Sequence, residues 1–436
     1  VDQFAAWLAD ERWPLLPIDG GFARLRREGT WYRQMRLAHA CTETAPGHAA
    51  LFTGRVPREN GIVANELLDA KGEPVYVMLD AQAHVVSDGG VLPAVGSSLR
   101  ALVGETLADR LRARQPDAFI AALSGKDRGA MFAAGHHPDV AAWYDTNVGG
   151  FVTSTIYAQT LWPEVANVAG ATALKPRLDW VWTPLDPAFL RAHSLTPDEA
   201  PGEADPFGLG RAFPHALSHS TGAAAALRST PLVDELVLST ALSVLSRGKD
   251  RSVGFLALSL SANDAIGHPW GPDSWEAWDN LLRLDHELAE VMRQLDRRLG
   301  PEHWSLVLSA DHGVAPLPEV DARRRKGCPA AAESPVPCRS QHRAPWAEVE
   351  RRLREAAEQA VGDAEVLGKL LPPNLYLSEK GLALDGEGRQ KLSRALQQVA
   401  DGKLLEHVYA AAEFPASCPP LIDQSLSAVV CRSTRP

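Results

Sequence analysis

Residues 42–69 read TETAPGHAALFTGRVPRENGIVANELLD, and the rest of the chain is most easily read outward from this stretch. A run at 31–38 (WYRQMRLA) has the character of a strand leading into Thr42-Glu43-Thr44. A short helical pattern follows, with Pro46 two residues in and Gly54 as its stop. Thr44 is therefore expected at a helix N-terminus. There, free backbone N–H groups and the positive end of the helix dipole suit a phosphate and favour the alkoxide form of a hydroxyl. A Thr at such a place is also an ordinary helix cap, so the stretch needs support from elsewhere in the chain.

The sequence on either side reads as alternating strand and helix. Residues 14–30 suggest a loop and a helix, and the Val-rich, Gly/Pro-rich stretch at 70–100 suggests hairpins or loops above the core. A helix is predicted at 104–115, with Leu107 and Leu111 four apart, followed by a buried apolar strand at 118–124. Residues 143–157 predict a hairpin turning at Gly149-Gly150, and 160–230, rich in Trp, Pro and Gly, a cap over the sheet. Further elements are expected as a helix at 231–245, a strand at 252–260, a long helix at 275–299 and a strand at 305–309. Such alternation predicts an α/β fold with a mostly parallel sheet covered on both faces. From about 344 to 420 the pattern changes to two amphipathic helices (346–361 and 387–400) separated by LPPNLYLS, a small α+β insertion.

Composition narrows the classes. With 436 residues, 45% apolar and 22% charged, the chain can bury a large core. Its net charge of −10 argues against a nucleic-acid partner, and no apolar run is long enough to span a membrane. The RRRK run at 323–326 reads as a solvated loop. Cys328 and Cys338 flank a Pro-rich loop, and Cys418 and Cys431 lie close together; two disulfides with a buried Cys41 would suit an oxidising compartment. The first residue is Val1, with no Met, as expected of a processed or cut product.

Metal-ligand chemistry appears after two of the predicted strands. SLSANDAIGHPWG sets Asp264 and His268 in a D-x-x-x-H spacing, and LVLSADHGVAP sets Asp311 beside His312. Carboxylate with imidazole and no thiolate suits zinc or another borderline divalent ion, and manganese or cobalt would accept the same ligands. Asp2, in VDQF, stands where a strand would end. Lys126 and Arg128, in SGKDRGA after the strand at 118–124, offer a point charge and a forked donor pair to an anion. His48 reads as a hydrogen-bonding support for the Thr44 loop, and Trp270 and Trp275 as pocket walls. His136, His137, His215 and His219 read as surface or core residues.

Taken together, TAPGH, the T-G-x-x-P-x-x-N-G-I segment from Thr53 to Ile62, Asn65 and the later motifs resemble the alkaline phosphatase superfamily. The resemblance is to its phosphate-irrepressible branch with a threonine nucleophile, related to the nucleotide pyrophosphatase/phosphodiesterases. It covers essentially the whole chain. It implies a three-layer alkaline-phosphatase-like sandwich, with a catalytic core over 1–343, cap insertions at about 66–103 and 143–230, the α+β insertion at 344–420, and a return towards the core at 421–436. It further implies two zinc ions, one held by Asp264 and His268, the other by Asp2, Asp311, His312 and the Thr44 oxygen. Thr44 would be the nucleophile, Asn65 a donor to a phosphoryl oxygen, and Lys126 with Arg128 the mark of a monoesterase. The implied reaction is hydrolysis of small-molecule phosphate monoesters through a phosphothreonine intermediate, in the periplasm or outside the cell. The alternatives are a phosphodiesterase or nucleotide pyrophosphatase of the same superfamily, or a metal-deficient phosphate-ester-binding relic. The sequence carries no reading of oligomeric state.

One ligand expected by resemblance has no counterpart. The family's first zinc takes a further histidine in a Thr/Ser-rich H-G segment after a late strand. After His312 come only His342 and His407, neither in such a segment, and residues 425–436 (SLSAVVCRSTRP) stand where that strand would begin. The expectation is a truncated C-terminal part and one incomplete zinc site.

Overall fold

The computed structural model describes residues 1–436 except 34, 70, 252, 319, 321–344, 402–403 and 435–436. Cys328, Cys338, His342 and the basic run at 323–326 lie outside the described residues. The chain divides into two compact units: Val1–Leu37, Thr42–Arg55 and Met78–Cys338 form the first, and Ala38–Cys41, Val56–Val77 and Arg339–Pro436 the second.

In the first unit, Thr44–Thr53 is α1, ending at Gly54 as its sequence predicts. The strands are β1 (Leu79–Ser87), β2 (Gly90–Ser97), β3 (Phe119–Ser124), β4 (Val140–Asp145), β5 (Gly150–Ser154) and β6 (Gly254–Ser259). They form one six-stranded sheet in the order β6-β3-β4-β5-β1-β2. β6, β3 and β4 run parallel, with Ser259 opposite Ser124 and Ser124 opposite Trp143. β4 to β5, β5 to β1 and β1 to β2 are antiparallel. The sheet is therefore mixed, where a mostly parallel one was expected. The stretch at 79–97 forms a hairpin that extends the sheet at its edge instead of lying above it, and β5 returns beside β4 in the hairpin that its sequence predicts. The expected strands at 31–38 and 305–309 carry no ladder among the described residues; an apolar run reads as a strand only where a neighbouring backbone is present to pair with it.

Among the helices of the unit are α2 (Leu107–Arg114), α3 (Asp127–Ala134), α4 (Leu232–Val244), α5 (Ala262–Trp270) and α6 (Trp275–Leu299). Ala121, Leu123, Val140 and Ala142 enter one large core cluster with Leu236, Val237 and Val244 of α4. The alternate residues Ala122, Ala141 and Ala257 pack with Ala133 and Ala134 of α3 in another. Since successive strand residues point to opposite faces, these clusters lie on the two sides of the sheet. The small side chains on the α3 side let that helix lie close to the strands. Its start, at Lys126 and Asp127, is thus fixed at the C-terminal ends of β3 and β6.

The second unit holds α7 (Trp346–Val361), a hairpin of β7 (Leu367–Leu371) and β8 (Asn374–Leu377), and α8 (Gly386–Gln398). The amphipathic faces meet in a cluster containing Val349, Leu353, Ala357, Leu392 and Leu396, as the period of the apolar residues predicts. Cys418 is bonded to Cys431, Cys41 is buried, and Leu426–Cys431 is helical. Among the described residues no helix is long and apolar enough to cross a membrane.

The end of α5 is tethered by the segment before it in sequence: the Ala204 N–H donates to the Pro269 carbonyl (2.8 Å), and the Trp270 indole to Gly210 O (3.1 Å). Trp270 is fully buried against Trp182 and His215, so it is core and not a pocket wall; His215 is likewise buried and contacts Glu276 at 3.0 Å. Glu203, buried beside this tether, is pushed up to about 8 by burial, with the charges of Glu276 and Asp198 adding to the effect. A carboxyl raised above its unfolded value of 4.5 contributes its stability below that value and loses it as pH rises through about 8. Glu203→Gln is accordingly expected to stabilise the protein by roughly 2–4 kcal/mol at alkaline pH and to change little near pH 4. Thermal unfolding at the two pH values checks this; an equal loss at both would show that the carboxylate itself is needed.

Candidate active site

The site forms where β3 and β6 end side by side and the N-terminus of α1 meets them, the position at which open α/β sheets assemble ligand sites. Thr44 is the first residue of α1 and is buried. The motif TAPGH has a steric reason at its fourth residue. A Cβ on Gly47 would come within 2.3 Å of the Asp311 carbonyl oxygen, so only glycine lets the helix lie this close to the segment carrying Asp311 and His312. His48 locks the contact, its Nδ1 lying 3.0 Å from Thr44 O and 3.1 Å from Asp311 Oδ2, its Nε2 2.8 Å from Ser259 Oγ. It supports the loop, as its position in the sequence suggests.

Around Thr44 stand three buried carboxylates. The Lys126 ammonium lies 2.6 Å from Asp2 Oδ2, 2.5 Å from Asp264 Oδ2 and 3.4 Å from Thr44 Oγ1. His312 Nε2 is 3.3 Å from Asp2 Oδ1 and 3.6 Å from Asp311 Oδ2. Burial alone pushes Asp2 up, but the Lys126 charge holds it below the usual carboxylate range. Asp264 is likewise raised by burial and by the charge of Asp2, and is brought below its ordinary value by Lys126 and His268. Burial depresses His312, yet contact with Asp2 and the charge of Asp311 outweigh it and raise the imidazole to about 9.

The donor set fits a divalent cation. Ligand atoms of Asp2, Asp264 and His312 lie within 4.8 Å of one another, a single such group among the described residues. Asp2 Oδ1 and Asp311 Oδ2 are buried and accept no hydrogen bond of good geometry, having only imidazole nitrogens near them, His312 Nε2 at 3.3 Å and His48 Nδ1 at 3.1 Å respectively. A cationic nitrogen, Lys126 Nζ, already bridges two of the carboxylates. Oxygen and imidazole donors with no thiolate match a borderline divalent ion.

The structure thus brings together Asp2, Thr44, Lys126, Asp264, Asp311 and His312. His268 joins through Asp264 Oδ1 at 3.2 Å, with its side chain 70% exposed. Arg128, on the first turn of α3, has its guanidinium 3.8 Å from Asp127. Asn65 belongs to the second unit, where its carbonyl accepts from Val77 N–H.

The match to known proteins agrees with this geometry. The profile of the type I phosphodiesterase/nucleotide pyrophosphatase family covers residues 1–364. The chain belongs to that family, within the alkaline phosphatase superfamily. It is 33% identical over 311 residues to the alkaline phosphatase PhoV of Synechococcus elongatus, which is 69% of this chain and 55% of that protein. It is also 33% identical over 309 residues to the alkaline phosphatase PafA of Elizabethkingia meningoseptica, 68% of this chain and 56% of that protein. The chain therefore spans little more than half the length of these curated relatives. The crystal structure of PafA superposes with a TM-score of 0.80 at 23% identity, over 100% of this chain and 81% of that one, and shows the shared fold.

Two supporting residues escaped sequence reading. Asp234 of α4 is fully buried, and its Oδ1 accepts from the Ser261 (2.7 Å) and Ala262 (3.0 Å) N–H groups, fixing the turn from β6 into α5. Gln3 contacts both Asp264 and Asp311. Neither has a local sequence signature, since each acts across a long gap in the chain. Because Lys126 is the cation that balances Asp2 and Asp264, Lys126→Met is expected to destabilise the metal-free protein by roughly 3 kcal/mol, and excess divalent ion to restore much of the loss. Urea unfolding with chelator and with added zinc measures both; an unchanged midpoint in chelator would refute the balancing role.

Proposed function

We propose that the protein hydrolyses phosphate monoesters through a phosphothreonine intermediate on Thr44, with two divalent ions, zinc by ligand type. The observation that carries this reading is the buried Thr44 hydroxyl at a helix N-terminus beside Lys126 and the Asp2–Asp264–His312 cluster. Asp264 and His268 would hold one ion, and Asp2, Asp311, His312 and Thr44 Oγ1 the other. Bound there, the ions would supply Lewis-acid stabilisation and lower the proton affinity of the hydroxyl and of the hydrolytic water.

In the first step Thr44 Oγ1 attacks phosphorus, the Oγ1–P bond forms, and the ester P–O bond breaks as the alcohol leaves with a proton from solvent. In the second, water attacks phosphorus from the side the alcohol has left. The Oγ1–P bond then breaks, releasing inorganic phosphate, and Thr44 regains its proton. His48 keeps the Thr44 backbone in place through both steps, by its contact with the carbonyl oxygen. The positive end of the α1 dipole and the Lys126 ammonium suit the phosphoryl oxygens. Arg128 and Asn65 are assigned as further phosphoryl donors. Lys126 and Arg128 together suit the additional charge of a monoester dianion.

A diesterase or nucleotide pyrophosphatase is the second reading, favoured by membership of the type I phosphodiesterase/nucleotide pyrophosphatase family. The Cys418–Cys431 disulfide supports a periplasmic or secreted location. Comparing turnover of an aryl phosphate monoester with its matching diester, with added zinc, separates the two activities. Thr44→Ala is expected to lower monoester turnover by about a thousandfold or more, and removing Lys126 or Arg128 to lower monoester rates far more than diester rates. Faster turnover of the diester by the parent would decide for the second reading.

A further inference from the structure

Gln3 adopts a backbone conformation uncommon for a residue with a Cβ. Its φ is +61°, and the side chain is buried. The contacts it makes explain why that conformation is held. Its backbone N–H donates to Asp311 Oδ1 at 3.1 Å, and its Nε2 donates to Asp264 Oδ1 at 2.8 Å. The amide orientation follows from chemistry, because a carboxylate can only accept.

The pattern of the remaining oxygens is the informative part. Asp311 Oδ1 also accepts from His312 N–H at 3.0 Å, while Oδ2 is buried beside imidazole nitrogens, His48 Nδ1 at 3.1 Å and His312 Nε2 at 3.6 Å. Asp264 Oδ1 is engaged by Gln3, which leaves Oδ2 facing the Lys126 ammonium. One residue therefore restrains one oxygen of each carboxylate; the other oxygen faces the Lys126 ammonium in Asp264 and the imidazoles of His48 and His312 in Asp311. The fit is close from the far side as well. A Cβ on Gly267, the residue before His268, would come within 2.5 Å of Gln3 Oε1, so a glycine there admits the amide.

We propose that Gln3 is a positioning residue that ties the Asp264 loop to the Asp311 loop and so sets the spacing and orientation of the two ion sites. This rests on the two-ion reading of the site. Zinc uptake by the full chain, measured by competition with a chelator of known affinity, tests it with two variants. Gln3→Gly keeps the left-handed backbone conformation open and removes the amide; Gln3→Met keeps the bulk and removes the donor. Both are expected to bind zinc about 10- to 100-fold more weakly, the range found when a partner that orients a metal ligand is removed. A role in backbone shape alone would leave Gln3→Gly unaffected, and a space-filling role would leave Gln3→Met unaffected. Zinc binding by either variant within about twofold of the parent overturns the assignment. If the parent itself takes up no zinc, the two-ion reading falls, and this inference with it.

Discussion

The arrangement of the first unit depends on how three buried carboxylates are kept ionised within a few ångströms of one another. Each carries a large cost of leaving water, several kcal/mol per ion after relaxation. At the effective dielectric of about 20 suited to such sites, one ion pair at the Lys126 distances returns on the order of 6 kcal/mol. The Lys126 ammonium and the raised His312 imidazole bring two positive charges to Asp2, Asp264 and Asp311, so the gain and the cost are comparable and the negative charge is not fully matched. An arrangement that contributes so little net stability is poor structural glue. It is the expected form of a site whose remaining charge is to be met by something it binds.

The surrounding structure serves that cluster. β3 and β6 are parallel and in register at Ser124 and Ser259, which places the residues that follow them, Lys126 and Asp264, next to each other. Small side chains on one face of the sheet bring α3 close, and Gly47 brings α1 close to Asp311. Asp234 fixes the turn between β6 and α5 by accepting two backbone N–H groups, and His48 joins α1 to β6 and to Asp311. Hydrogen bonds between such distant parts of the chain confer little stability individually. Together they fix the side-chain atoms of the cluster relative to one another.

Much of this was legible because it is written locally. The long helix Trp275–Leu299 and the helix Trp346–Val361 have the bounds their apolar period predicts, since one face is buried in each. Asp264 follows a strand that forms, whereas the runs before Thr44 and before Asp311-His312 form no ladder, so those three residues were singled out by their motifs and not by a strand end. The hairpin within 143–157 was legible from its Gly149-Gly150 turn, whereas the place of the pair at 79–97 on the sheet edge was not, because nothing local says which strand it joins. The run at 305–309 shows the converse error, since its Val307 is 91% exposed and the segment forms no ladder. Gln3 was illegible for a different reason. Its left-handed φ and its contacts with residues 261 and 308 positions away are properties of the folded chain.

The position of Lys126 connects the charge balance to the choice of substrate. Without an ion its ammonium is drawn to Asp2 and Asp264, and Thr44 Oγ1 lies just beyond at 3.4 Å. Whatever cation takes over those carboxylates removes the attraction that holds the ammonium there. The nearest new anion would then be the one bonded to Thr44. A monoester dianion brings one more negative charge than a diester and gains correspondingly more from a fixed point charge at that distance. Under the proposed function, the same side chain that offsets the charge of Asp2 and Asp264 would, once a cation holds them, favour the more highly charged ester.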